Sequence, residues 1–266
     1  MPLLLILSEF NIMIPPPYCH RLGLLTLFGG LATSSIRSQA AASFVDLGTA
    51  RSFGVLAVTA ITVTGPTVVR GDAGTTSGTA ITGAGSLTLL GINYGGGGLT
   101  PAAQTALTSA YLNAAGQPAD FNYPLVADLG GLTLLPGVHR APSSFAITGM
   151  LTLDGGGDSN ALWIFQAFST LITGSNSSVI LTNGAKPGNI LWQVGSSATL
   201  GTGSQLQGNV LAFSSITLTT GAVVEGGVYA RNGAVTFDRN FAGIPEPMTG
   251  MLTLAGLLGV AGRRKR

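Results

Sequence analysis

Apolar and polar positions change rhythm along this chain. Over residues 100–115, Ala103, Leu107, Ala110, Tyr111 and Ala114 fall on one stripe at helical spacing. Thr100 followed by Pro101 opens that segment, and Gly116 before Pro118 closes it. The pattern predicts one helix with Thr100 as its N-cap. From residue 143 to 238 the rhythm becomes that of short strands in a repeat. Gly188-Asn189-Ile190-Leu191-Trp192, Gly208-Asn209-Val210-Leu211-Ala212 and Gly226-Gly227-Val228-Tyr229-Ala230 start 20 and then 18 residues apart. Asn160-Ala161-Leu162-Trp163-Ile164 is an earlier copy. A Thr-bearing strand follows each, at 169–173, 198–202, 216–220 and 234–237, and complete units add a third at 178–181, 205–207 and 223–225. Three short strands per 18–20 residues is the spacing of one coil in a parallel β-helix.

The strands of a coil differ. The first is apolar at successive positions, as in Ile190-Leu191-Trp192, so both of its faces must be covered. One face looks into the solenoid, and the helix stripe is the natural lid for the other. The second strand alternates: Ile216 and Leu218 point inward while Thr217 and Thr219 point to solvent. Thr199, Thr236 and Thr170 are the outward residues of the other copies. The third strand is more polar, carrying Gln205, Gln207 and Glu225, and Gly201 interrupts the outward positions beside it.

Composition fits this picture. Only 8% of the 266 residues are charged and 40 are Gly, which suits a repetitive β architecture with many tight turns. Between Ser43 and Asn240, eight acids against six cations leave a net charge of −2. The formal +2 of the whole chain therefore comes from its ends, and no basic stripe for nucleic acid exists. The body acids fall mostly near turns and strand ends, not clustered as a glycosidase would need, so no enzyme is expected. Gly95-Gly96-Gly97-Gly98 lacks the Lys-Ser/Thr of a phosphate loop. Asp154 and Asp158 lack EF-hand spacing and are expected in a turn between coils; no metal or cofactor is expected. His139, the only histidine of the body, is expected at a strand edge on the surface, and Trp163 and Trp192 in the core.

Both ends carry address signals. His20 and Arg21, the apolar run 22–32 and the small residues Ser38-Gln39-Ala40-Ala41-Ala42 form a secretory leader over 1–42, for which Met13 is an alternative start. The single cysteine, Cys19, lies inside it. Residues 244–266 bring Pro245-Glu246-Pro247, an apolar stretch and Arg263-Arg264-Lys265-Arg266. This order resembles the PEP-CTERM sorting signal of Gram-negative bacteria. That resemblance implies cleavage by an exosortase-like enzyme, a transient membrane contact through the tail, and release to the cell surface or exopolysaccharide.

The body, residues 43–243, resembles the microbial ice-binding protein family. The resemblance rests on Asp46-Leu47-Gly48-Thr49-Ala50, Gly71-Asp72-Ala73-Gly74, Leu129-Gly130-Gly131-Leu132-Thr133, Pro136-Gly137-Val138, Trp192-Gln193-Val194-Gly195-Ser196-Ser197-Ala198-Thr199-Leu200-Gly201 and Ala230-Arg231-Asn232-Gly233-Ala234-Val235. It implies a mainly β fold, a discontinuous right-handed parallel β-solenoid with one long α-helix packed along it. The strands of residues 53–69 would rejoin the solenoid beside its C-terminal coils. Stacked coils would level the outward threonines into a flat neutral grid, so with ice or its bound water as the partner the resemblance implies, Thr199, Thr217, Thr219 and Thr236, joined by Thr170 and Thr202, are the candidate ice-contacting residues. The alternative is a surface adhesin or matrix protein that meets extracellular polysaccharide with the same scaffold.

Overall fold

The computed structural model of the protein describes residues 42–77 and 81–244. The leader through residue 41, with Met13 and Cys19, and the Pro245-Glu246-Pro247 tail lie outside the described residues. The body is a stack of coils whose strands form three parallel sheets of nine, seven and eight strands. The coils of the repeat place Trp163–Ala167, Ile190–Val194, Asn209–Ala212 and Val228–Ala230 in the first sheet. Leu171–Thr173, Ala198–Leu200, Ile216–Leu218 and Val235–Phe237 lie in the second, and Ser178–Thr182, Gln205–Gln207, Val223–Glu225 and Phe241–Gly243 in the third.

The stack is not in chain order. Val55 pairs with Val228, Ile61 with Val235 and Val68 with Phe241, so an early coil lies directly on the last one. The chain then builds one end of the stack with Leu87–Leu90 and Asn93–Gly95. After the helix it starts the other end with Phe121–Asn122, Val126–Asp128 and Thr133–Leu134. The long connection between the two ends contains the helix α1, Thr100–Gly116.

Helix α1 buries Ala103, Leu107, Ala110, Tyr111 and Ala114 against the outward Ile164, Leu191, Leu211 and Tyr229 of the first sheet. Each large side chain buried there contributes about 1.5–3 kcal/mol relative to exposure. Thr100 does not cap the helix. It is the first helical residue and buried, and its hydroxyl donates to the Gly95 carbonyl at 2.9 Å. Lying inside the first turn, Thr100 cannot occupy the cap position, which Leu99 takes without a side-chain cap. At the other terminus the buried Gln166 amide donates to the carbonyls of Ala114 at 2.7 Å and Gln117 at 2.9 Å. Orphan carbonyls at a helix end thus find donors on the sheet below.

Inside the stack, one column of the first sheet runs Phe121, His139, Phe165, Trp192, Val210, Val228, Val55 and Ala73. Ring-bearing residues fill one end of the column and small aliphatics the other, and the rings stack: Phe165 and Trp192 lie 3.9 Å apart at 10°. The Trp163 and Trp192 ring N–H groups donate to the carbonyls of Leu134 and Gln207. His139 corrects the sequence expectation. It is 1% exposed, sandwiched between Phe121 at 4.6 Å and Phe165 at 5.0 Å. Nε2 donates to the Leu135 carbonyl at 3.0 Å, which leaves Nδ1 to accept the Tyr123 hydroxyl at 2.9 Å. A histidine beside Pro-Gly and Arg looks like a surface residue until the flanking strands supply aromatic faces and two bonding partners. Burial pushes its pKa down to about 4, against the opposing pull of the Leu135 carbonyl and Asp120.

Candidate functional site

The outer face of the second sheet follows from its alternation. Ile61, Val235, Ile216, Ala198 and Leu171 point inward and are buried, so the next residue of each strand must face out. Register aligns those outward residues into a central row: Thr82, Thr62, Thr236, Thr217, Thr199, Ile172, Ala146 and Asp128. Parallel strands space the members about 4.7–4.9 Å apart. Five successive positions are threonine. Thr62, Thr217 and Thr236 are half-buried by their neighbours, and Thr82 and Thr199 are exposed. Helix α1 covers the first sheet and leaves this one open.

The flanking rows are chemically different. On one side lie Ser215, Ser197, Thr170 and Ser144, with Thr170 donating to Ser144 at 2.8 Å and Ser215 accepting the Ala234 amide at 3.2 Å. On the other side, Thr64 donates to the Phe237 carbonyl at 3.1 Å and Thr219 to the Leu200 carbonyl at 2.7 Å. These hydroxyls knit one coil to the next. Among the described residues, no hydroxyl of the central five threonines has a protein partner, so their hydrogen-bonding capacity is left for water.

The six threonines expected from sequence are therefore spread over the face. Thr199, Thr217 and Thr236 share the central row, and Thr219 sits in a flanking one. Thr202 is exposed in the turn that follows, 3.3 Å from the Thr219 hydroxyl. Thr170 lies one row from the centre because the strand of its coil is Leu171–Thr173, and Ile172 takes the position of Thr199. Thr173 points inward at 4% exposure, its hydroxyl accepting the Gly201 amide at 2.8 Å. Sequence reasoning missed Thr62 and Thr82. Ile61-Thr62-Val63 carries the same alternation as Ile216-Thr217-Leu218 and was the available signal; what was missing was the pairing partner about 170 residues away.

Charge is kept out of the threonine stretch of the central row, and the nearby Asp238, two residues past Thr236, accepts the Thr220 hydroxyl. Asp128 is the one acid of the central row, at its far end. Slight burial acts to raise its pKa, but the Thr148 and Gly130 donors outweigh it and hold the carboxyl below the usual carboxylate range. The other acids are similarly tied into the fold. Asp154 accepts the Gly156 amide at 2.9 Å and Asp158 the Asn160 amide at 2.8 Å, which makes both turn residues. Asp120 accepts the Val138 amide at 2.7 Å. On the third sheet, by contrast, Glu225 and Arg70 stand two rungs apart with Gly243 between them, and Arg70 lies 5.3 Å over the Phe241 ring.

Known proteins place this architecture. The sequence model of a family described as "Ice-binding-like" matches residues 55–242. An "Ice-binding protein" of Nostoc sp. (strain HG1) is 47% identical over 212 residues, which is 79% of this chain and 78% of that protein. One from Flavobacterium frigoris (strain PS1) is 32% identical over 80% of this chain and 81% of its own length. The crystal structure of the ice-binding protein from the Antarctic ascomycete Antarctomyces psychrotrophicus superposes with a TM-score of 0.75 at 41% identity, covering 77% of this chain and all of that one. Strand register, the covering helix and these matches agree: the chain belongs to the ice-binding-like family.

Proposed function

We propose that this protein binds ice through the outer face of its second sheet. The observation that carries the proposal is the central row of five threonines, stacked in register, uncharged, uncovered and with hydroxyls uncommitted to the protein. Each threonine offers a hydroxyl that bonds water and a methyl that borders it, and its stiff χ1 limits the entropy lost on ordering. Rigid parallel strands hold these groups level, so a layer of ordered water can match the surface of a crystal. A charged side chain would bind water more strongly and orient it around itself. The function is one of binding rather than catalysis: most body carboxylates are spent on turn amides or neighbouring donors. The leader and the Pro245-Glu246-Pro247 tail support export, sorting by an exosortase-like enzyme and a cell-surface or extracellular location, where ice would be met.

The test is thermal hysteresis and ice-crystal shaping by the full chain and by its Thr217→Tyr variant. The parent should shape crystals and the variant should lose most of that activity while melting at the same temperature. Equal activity in both would remove the second sheet from the site.

A further inference from the structure

The second sheet is not uniform along its length. Its central row changes character between Thr199 and Ile172. On one side stand five threonines with unshared hydroxyls, spanning about 19 Å at the usual strand spacing. On the other stand Ile172 at 49% exposure, Ala146 and the ionised Asp128, with Val126 at 63% exposure in the row beside them. Ile172 and Ala146 have no side-chain group to bond water, and Asp128 carries a charge that its amide donors stabilise.

Resting on the ice-binding reading above, we infer that the contact patch is only this threonine half, assembled across the break in chain order by Thr62 and Thr82, and bounded by Ile172. The five members come from three separate parts of the chain: Thr199, Thr217 and Thr236 from the repeat, Thr62 from the early strand beside the last coil, and Thr82 from the bridge beyond it. Thr62 is thus the middle link between the repeat and the stack's end. A patch confined to the repeat would stop at Thr236 and hold three threonines. Ile172 then sets the length of the lattice: a hydroxyl there would add a sixth member at the same spacing, because Ile172 pairs directly with Thr199.

Four full-length variants test this, with thermal hysteresis as the readout and a thermal melt as the control for folding. Thr62→Tyr should lose as much hysteresis as Thr217→Tyr. Ile172→Tyr should retain most of it, and Ile172→Thr should exceed the parent. Thr62→Val, which keeps the shape and removes the hydroxyl, replaces Thr62→Tyr should the latter melt early, and a partial loss is then expected. The inference is overturned if Ile172→Tyr is as damaging as Thr217→Tyr, or if both Thr62 variants are silent while Thr217→Tyr is not. Silence of Thr217→Tyr itself would overturn the ice-binding face as a whole.

Discussion

The first and second sheets are built from the same coils at the same strand spacing, yet one is roofed and the other open. The difference lies in one outward residue per strand. Ile164, Leu191, Leu211 and Tyr229 require a cover and receive helix α1. Thr199, Thr217 and Thr236 require none, since a hydroxyl satisfies water and a methyl fits a pleated surface. The comparison teaches that in a solenoid the backbone supplies a regular grid and the outward side chains alone decide whether it faces protein or solvent.

The sharpest way to break the comparison is to place the same charge on both sheets. Leu211→Asp puts an unpaired carboxylate under the helix, at a position with no exposure, and should destabilise the fold by about 4 kcal/mol or more, read as loss of soluble protein or of a cooperative melt. A second difference is that the first sheet alone carries a buried histidine. The unfolded chain takes up that proton near the ordinary pKa of 6.5 and the folded chain only near 4. Acid therefore favours unfolding across this window: the stability that neutral His139 contributes is complete above about pH 6.5 and lost as pH falls to about 4. The loss should approach 3 kcal/mol. Urea titrations at pH 7, 5.5 and 4 would measure it, and a His139→Gln variant should flatten the profile. The carboxyls of Asp128 and Asp154, held below their usual range, titrate further down. Smallest is the mirror of the first substitution: Thr236→Asp on the open sheet should change the melt by less than about 1 kcal/mol. A large destabilisation there would show that the open face is held by more than its inward residues.

Much of this architecture could be read from periodicity. The successive apolar positions of Ile190-Leu191-Trp192 called for two covers, and the stripe from Ala103 to Ala114 supplied one of them. Alternation in Ile216-Thr217-Leu218 assigned the outward threonine. Reading failed where the answer depended on another part of the chain. Leu171-Ile172-Thr173 places its isoleucine outward because the stack fixes the phase, and an inward Thr173 is tolerated because it accepts the Gly201 amide. The burial of His139 depends on Phe121 and Tyr123 in the preceding coil. Thr62 and Thr82 joined the row through a pairing that local pattern does not encode.

The break in chain order has a mechanical corollary. The first coil and the last are each held on both sides: Ile61–Val63 lies between the Val235–Phe237 strand and Thr82, and Phe241–Gly243 lies between Val223–Glu225 and Thr67–Arg70. The outermost rungs belong to residues from the middle of the sequence. Tension applied at either end of the body would have to shear a strand from neighbours on both sides before it reaches a free edge. Fraying should begin at internal residues such as Leu87–Leu90 and Val126–Asp128, where slow amide exchange would fade first.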